Sequence, residues 1–114
     1  MTESGQKLVV MIVADSDADR LVRKLLERGH PATKIGSTSG FLKRGNTTIL
    51  SGVDGEAVDE LLAIVRAECR ARTEYVPLQA VPFFGEGVVM ADPVEVRVGG
   101  AVIFVLNVER FEKT

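Results

Sequence analysis

Along the 114 residues, apolar periodicity runs in the order strand, helix, strand, strand, helix, and then a terminal pair of strands. That order predicts an α+β fold of the ferredoxin-like (βαββαβ) kind, with an extra C-terminal β-hairpin strand. Three observations carry the expectation: a Val- and Ile-rich run over 7–14, two amphipathic stretches over about 17–28 and 55–71, and Gly99-Gly100 between two apolar runs near the end.

The run KLVVMIVA (7–14) is continuously apolar, as a central strand buried on both faces should be. Ser16 with Asp19 three residues later forms a capping-box variant, which starts a helix over about 17–28. The helical repeat gives that segment an inner face of Leu21, Val22, Leu25 and Leu26, with Arg20, Arg23, Lys24 and Glu27 outward. Gly29 is placed to be its C′ residue, and Pro31 prevents continuation. Residues 32–37 and 47–53 read as β-branched strands around a glycine-rich tip. Asp54 then caps a second helix over about 55–71, whose inner face carries Val58, Leu61, Leu62, Val65 and Cys69 and whose end holds a Glu68–Arg72 pair.

Tyr75-Val76-Pro77-Leu78 suits a short edge strand, where a proline is tolerated. PVEVRV (93–98) alternates apolar and charged residues, AVIFVLNV (101–108) is almost wholly apolar, and Gly99-Gly100 between them is a two-residue hairpin signal. The segment 81–92 carries Phe83, Phe84, Val88, Val89 and Met90, too apolar for a loop that buries nothing. It either folds back on its own core or serves as a lid or subunit contact.

Length and a hydrophobic content of 46% suit one globular domain with a single core. A net charge of −2 argues against a general nucleic-acid binder. One cysteine cannot close an intrachain disulfide, and the apolar run 8–14 is too short for a signal segment or a membrane span. Together these point to a cytoplasmic protein without a DNA, RNA or membrane partner.

The chemistry gathers in TKIGSTSGFLKRGNTTILSG (33–52), which holds four glycines, seven hydroxyl residues, the basic pair Lys43 and Arg44, and Phe41. No Asp or Glu occurs from Arg28 to Val53, although an even spread of the 16 acids would put between three and four in those 26 positions. An anionic ligand explains the gap, because glycine lets backbone N–H groups approach a phosphate. A polar hairpin tip has much the same composition. Gly40 and Gly45 have P-loop spacing, but Asn46-Thr47 follows where Lys and Ser/Thr are required, and the continuation is β-branched. A GxGxxG fingerprint is absent.

No catalytic or metal constellation emerges. His30 stands alone beside a proline, as a solvated cap residue would, and Cys69 sits on an apolar helical face as a small hydrophobe. One His and one Cys make no zinc pair, and Asp15, Asp17 and Asp19 are accounted for by capping and the helix dipole.

The stretches KLVVMIVADSDADRLVRKLLERG, ATKIGSTSGFLKRGNTT, GVDGEAVDELLAIV and PVEVRVGGAVIFVLNVERF resemble the PII-like cyclic di-AMP receptor family, from about Lys7 to Phe111. The most specific parts are TKIGSTSGFLKRGNTT and PVEVRVGGAVIFVL. The resemblance implies a single receptor domain over 1–114 and a PII-like protomer that assembles as a homotrimer. It also implies one cyclic dinucleotide in each cleft between subunits, and loops that rearrange to signal to a protein target. It implies no enzymatic activity and no cofactor. The matching positions are Thr33, Gly40, Phe41, Leu42, Asn46 and Gly52, with Phe104 on the last strand. The backbone at 40–42 would face a phosphodiester, Phe41 and Leu42 a purine face, and Asn46 an adenine edge. Where the family has Asn-Phe-Arg, this chain has Gly29-His30-Pro31. Ser39 replaces the first glycine of a Gly-Gly pair, and Lys113 stands near an expected neutral polar residue. Another adenine nucleotide, or a ligand-free interaction trimer, is compatible with these departures.

Overall fold

The computed structural model describes residues 5–38, 45–76 and 94–114. The elements are β1 (Gln6–Ala14), α1 (Asp15–Glu27), β2 (Thr33–Thr38), β3 (Asn46–Asp54), a 3-10 turn (Gly55–Ala57), α2 (Val58–Glu68), β4 (Arg72–Val76), β5 (Val94–Val98) and β6 (Ala101–Asn107). Four of the strands make one antiparallel sheet in the order β2-β3-β1-β6, the ferredoxin-like arrangement. Among the described residues, strands β4 and β5 pair only with each other, as a ribbon inserted before the last strand. The core lies on one sheet face, where Val9, Met11 and Val13 of β1 and Ile49 and Val53 of β3 meet Leu21 and Leu25 of α1 and Leu61, Val65 and Cys69 around α2.

The expected hairpin across Gly99-Gly100 does not form, although the strand limits hold. β5 pairs with β4, whereas β6 crosses to β1. Both glycines adopt positive φ, 84° and 81°, and serve as a crossover between two sheets. The extra element is therefore the β4–β5 ribbon. Of the proposed edge strand, Tyr75 and Val76 belong to β4, while Pro77 and Leu78 fall outside the described residues, as does the apolar segment 81–92.

The helix ends differ from the capping expectation. α1 begins two residues early with Ala14 at its N-cap and no side-chain cap, so the Ser16–Asp19 box is not made. Asp54 makes no cap either; it accepts the Gln6 side-chain amide at 2.6 Å. α2 ends at Glu68 rather than 71. Gly29 is the C′ residue of α1 as expected: its φ is 83°, its N–H reaches Leu26 O at 3.0 Å, and His30 N–H reaches Leu25 O at 2.9 Å. These two bonds form a Schellman motif. The residue after C′ in that motif packs back on the helix, which is why His30 is buried, with 6% exposure, rather than solvated. Leu26 falls off the apolar stripe and is 55% exposed. Among the described residues no helix is long and apolar enough to cross a membrane.

Candidate functional site

Side chains alternate across a strand, so register decides which candidates can share a surface. Ile49 and Ser51 face the helices, and Asn46 and Gly52, at even positions of β3, are exposed on the opposite face. Thr33 pairs with Leu50, and Phe104 with Val10, which places both on that same open face. Thr33, Asn46, Gly52 and Phe104 therefore share one side of the sheet. Gly40, Phe41 and Leu42 lie outside the described residues.

Distance then separates them. Asn46 and Gly52 are six residues apart, about 20 Å along an extended strand. Thr33 on β2 and Phe104 on β6 occupy opposite edges of the sheet, three strand spacings or about 14 Å apart. Asn46 and Gly52 thus mark opposite ends of β3, and Thr33 and Phe104 opposite edges of the sheet. The surface around Phe104 is apolar. Val102, Phe104 and Leu106 are exposed and pair with the half-buried Ile12, Val10 and Leu8.

Cavities open at both ends of β3. One of about 240 Å³ lies between Ser16, Gly45 and Asn46 on one side and Arg97, Val98 and Gly99 on the other. The second, of about 350 Å³, is lined by Arg28, His30, Pro31, Gly52 and Asp54. Each lining combines one guanidinium with one carboxylate, Arg97 with Asp15 in the first and Arg28 with Asp54 in the second. Arg28 is held by Glu60 at 2.5 Å. His30 Nε2 lies 3.3 Å from the other oxygen of Glu60 but makes no hydrogen bond. Pro31 offers no donor, and its carbonyl already accepts the Ser51 hydroxyl. At Gly52 an added Cβ would meet nothing within 4 Å, so the fold leaves open space over this backbone.

The acids at the start of α1 have partners beyond the helix dipole. Lys34 Nζ lies 2.6 Å from Asp19 and holds its carboxyl below the usual range. Asp15 accepts the Thr47 hydroxyl, and its N–H donates to Gly45 O at 2.9 Å. Asp17 is fully buried and bound by Arg20 at 3.0 Å and by both Arg72 amino nitrogens at 3.1 and 3.3 Å. The expected Glu68–Arg72 pair is therefore not made. Glu68 takes Arg20 Nε at 2.8 Å, because Arg72 has left the helix and starts β4. Spacing could have suggested Asp17 with Arg20, three residues on, but nothing local points to Arg72, 55 residues away. Among the described residues no group of three His, Cys, Asp or Glu could hold a metal ion.

Residues 6–114 match the family model described as cyclic-di-AMP receptor. The crystal structure of a functionally unknown protein from Pediococcus pentosaceus is similar to the chain, at 35% identity with a TM-score of 0.73. The alignment covers 97% of this chain and 99% of that one.

Proposed function

The chain belongs to the cyclic-di-AMP receptor family, and from that premise we propose that it is a non-enzymatic signal receptor. It binds cyclic di-AMP in clefts between the subunits of a homotrimer and reports occupancy to a protein target. The observation that carries this reading is the family match over residues 6–114, nearly the whole chain, and in the same reading 1–114 is one receptor domain.

The geometry supports it in two ways. Thr33 and Phe104 stand on opposite edges of one sheet, and in this reading the Phe104 that meets the ligand comes from a neighbouring copy. The open sheet face, with Val102, Phe104 and Leu106 exposed, supplies apolar surface for such a copy to cover. In this reading Thr33, Gly40, Phe41, Leu42, Asn46 and Gly52 contribute to the ligand clefts of the assembly. The acid-free window 28–53 favours a ligand with two phosphodiester charges. The single cysteine is buried and free, which fits a reducing cytoplasm.

Pro31 favours a second reading. With no donor at this position, cyclic di-AMP loses a charged hydrogen bond worth about 1.5–3 kcal/mol, or roughly ten- to a hundredfold in affinity. The ligand would then be another adenine nucleotide, or the trimer a protein-interaction module without one. Titration calorimetry with cyclic di-AMP, cyclic di-GMP and ATP, alongside light scattering of the assembly, separates these. Binding of cyclic di-AMP alone to a trimer is the expected result. Binding of ATP alone selects another adenine nucleotide, and silence with all three selects the interaction module.

A further inference from the structure

The β4–β5 ribbon is built apart from the main sheet, and a two-stranded ribbon is marginal in water without further support. Its setting depends on its root, where three links converge. Gly100 N–H donates to Cys69 O at 2.6 Å, Arg72 Nη1 donates to Arg70 O at 3.0 Å, and the Arg72 fork closes on the buried carboxylate of Asp17. Asp17 lies in the first turn of α1. Two residues earlier in that turn, Asp15 holds the head of β3 through Gly45 O and the Thr47 hydroxyl. The 240 Å³ cavity separates these two anchored pieces, with Asn46 on the β3 side and Arg97 and Gly99 on the ribbon side.

A buried ion pair is weak ground for stability, since desolvation offsets much of its attraction, but a two-pronged Arg–carboxylate contact fixes geometry. We propose that Asp17 is a positioning residue: by gripping Arg72 it sets the β4–β5 ribbon on the same helical turn that holds the head of β3, and so couples a ligand at Asn46 to the ribbon. This rests on the receptor reading for the identity of the ligand, but the mechanical link does not.

Hydrogen–deuterium exchange resolved to segments 72–76 and 94–98 tests it in two arms. Without ligand, Thr47→Val removes only the hydroxyl on Asp15, and among the described residues Thr47 makes no bond to the ribbon. Ribbon exchange is expected to quicken at least threefold while segment 61–65 of α2 stays unchanged. If Asp17 merely stabilised the fold, Thr47→Val would leave the ribbon as in the wild type, and that result overturns the proposal. With saturating cyclic di-AMP, ribbon exchange in the wild type shifts at least threefold. Arg72→Gln abolishes that shift while segment 46–48 still responds; a ribbon that responds as before also overturns it. Failure of cyclic di-AMP to bind the wild type sinks the receptor reading instead, and the Thr47 arm then decides the coupling alone.

Discussion

Gly99 and Gly100 both sit at positive φ, yet they should respond very differently to substitution. A left-handed conformation costs an L-residue about 1–2 kcal/mol, and both positions bear that cost. A Cβ at Gly99 would in addition lie 2.2 Å from Arg70 O and 2.6 Å from Arg72 Nη1, whereas at Gly100 the nearest atom is Ala71 Cβ at 3.8 Å. The obstruction at 99 is backbone and cannot swing away, so overpacking adds about 1–3 kcal/mol. Gly99→Ala should therefore cost about 2–5 kcal/mol and Gly100→Ala about 1–2 kcal/mol. Against the roughly 5–15 kcal/mol that holds a typical domain, the first is a large fraction.

Asparagine sharpens the contrast. It tolerates positive φ, and Asn-Gly is a favoured hairpin turn. If Gly99-Gly100 closed a hairpin, Gly99→Asn would be nearly neutral. Because these glycines carry the chain past Arg70 from one sheet to another, Gly99→Asn should still cost the overpacking of about 1–3 kcal/mol. Urea unfolding of the three variants at one fixed subunit concentration measures this. A stable Gly99→Asn, or equal losses at 99 and 100, would refute the crossover as the reason for the pair.

Phe104→Glu puts a carboxylate into the apolar open face; light scattering should show the assembly falling to single chains, and an unchanged mass would remove this face from the interface. A Cβ at Gly52 meets nothing within 4 Å and a β-branched residue suits a strand, so with Gly52→Val stability should hold while cyclic di-AMP affinity drops at least tenfold by calorimetry; unchanged affinity takes Gly52 out of the site. Burial, with a smaller push from Asp17, raises the Cys69 thiol from 9.0 to about 11. The folded state then holds this proton more tightly than the unfolded chain, so its contribution is intact below about pH 9 and lost as pH rises toward 11. Cys69→Ala should flatten the decline in melting temperature across that window, and in the wild type a thiol reagent at pH 8 should label slowly until the protein unfolds.

What sequence made legible was periodicity. The stripes Leu21–Leu25 and Leu61–Val65–Cys69 are buried where the helical repeat puts them, and Gly29 ends α1 as its backbone freedom allows. Partner choice was not legible. Two apolar strands flanking Gly-Gly have the local signature of a hairpin whether they pair with each other or with Arg72–Val76 and β1, because the deciding contacts are remote. The same blindness hid Asp17. A carboxylate in a first helical turn is locally satisfied by the helix dipole, and only the fold brings Arg72 onto it. The burial of His30 is hidden for a related reason: it follows from a backbone motif, not from the residue's own polarity. For the candidate site, strand parity places Thr33, Asn46, Gly52 and Phe104 on one face, but sequence does not tell how far apart on that face they stand.

That separation bears on how such a receptor could work. A ligand held wholly by one chain would leave the sheet edges indifferent to neighbours. A ligand reaching from Thr33 of one copy to Phe104 of another makes occupancy and assembly linked equilibria: whatever tightens one tightens the other by the same factor. Phe104→Glu should then weaken cyclic di-AMP binding as well as assembly, and added ligand should partly restore the assembled state. If ligand affinity in that variant were unchanged while the chains ran singly, the site would belong to one subunit, and the opposite placement of Thr33 and Phe104 would have no bearing on signalling.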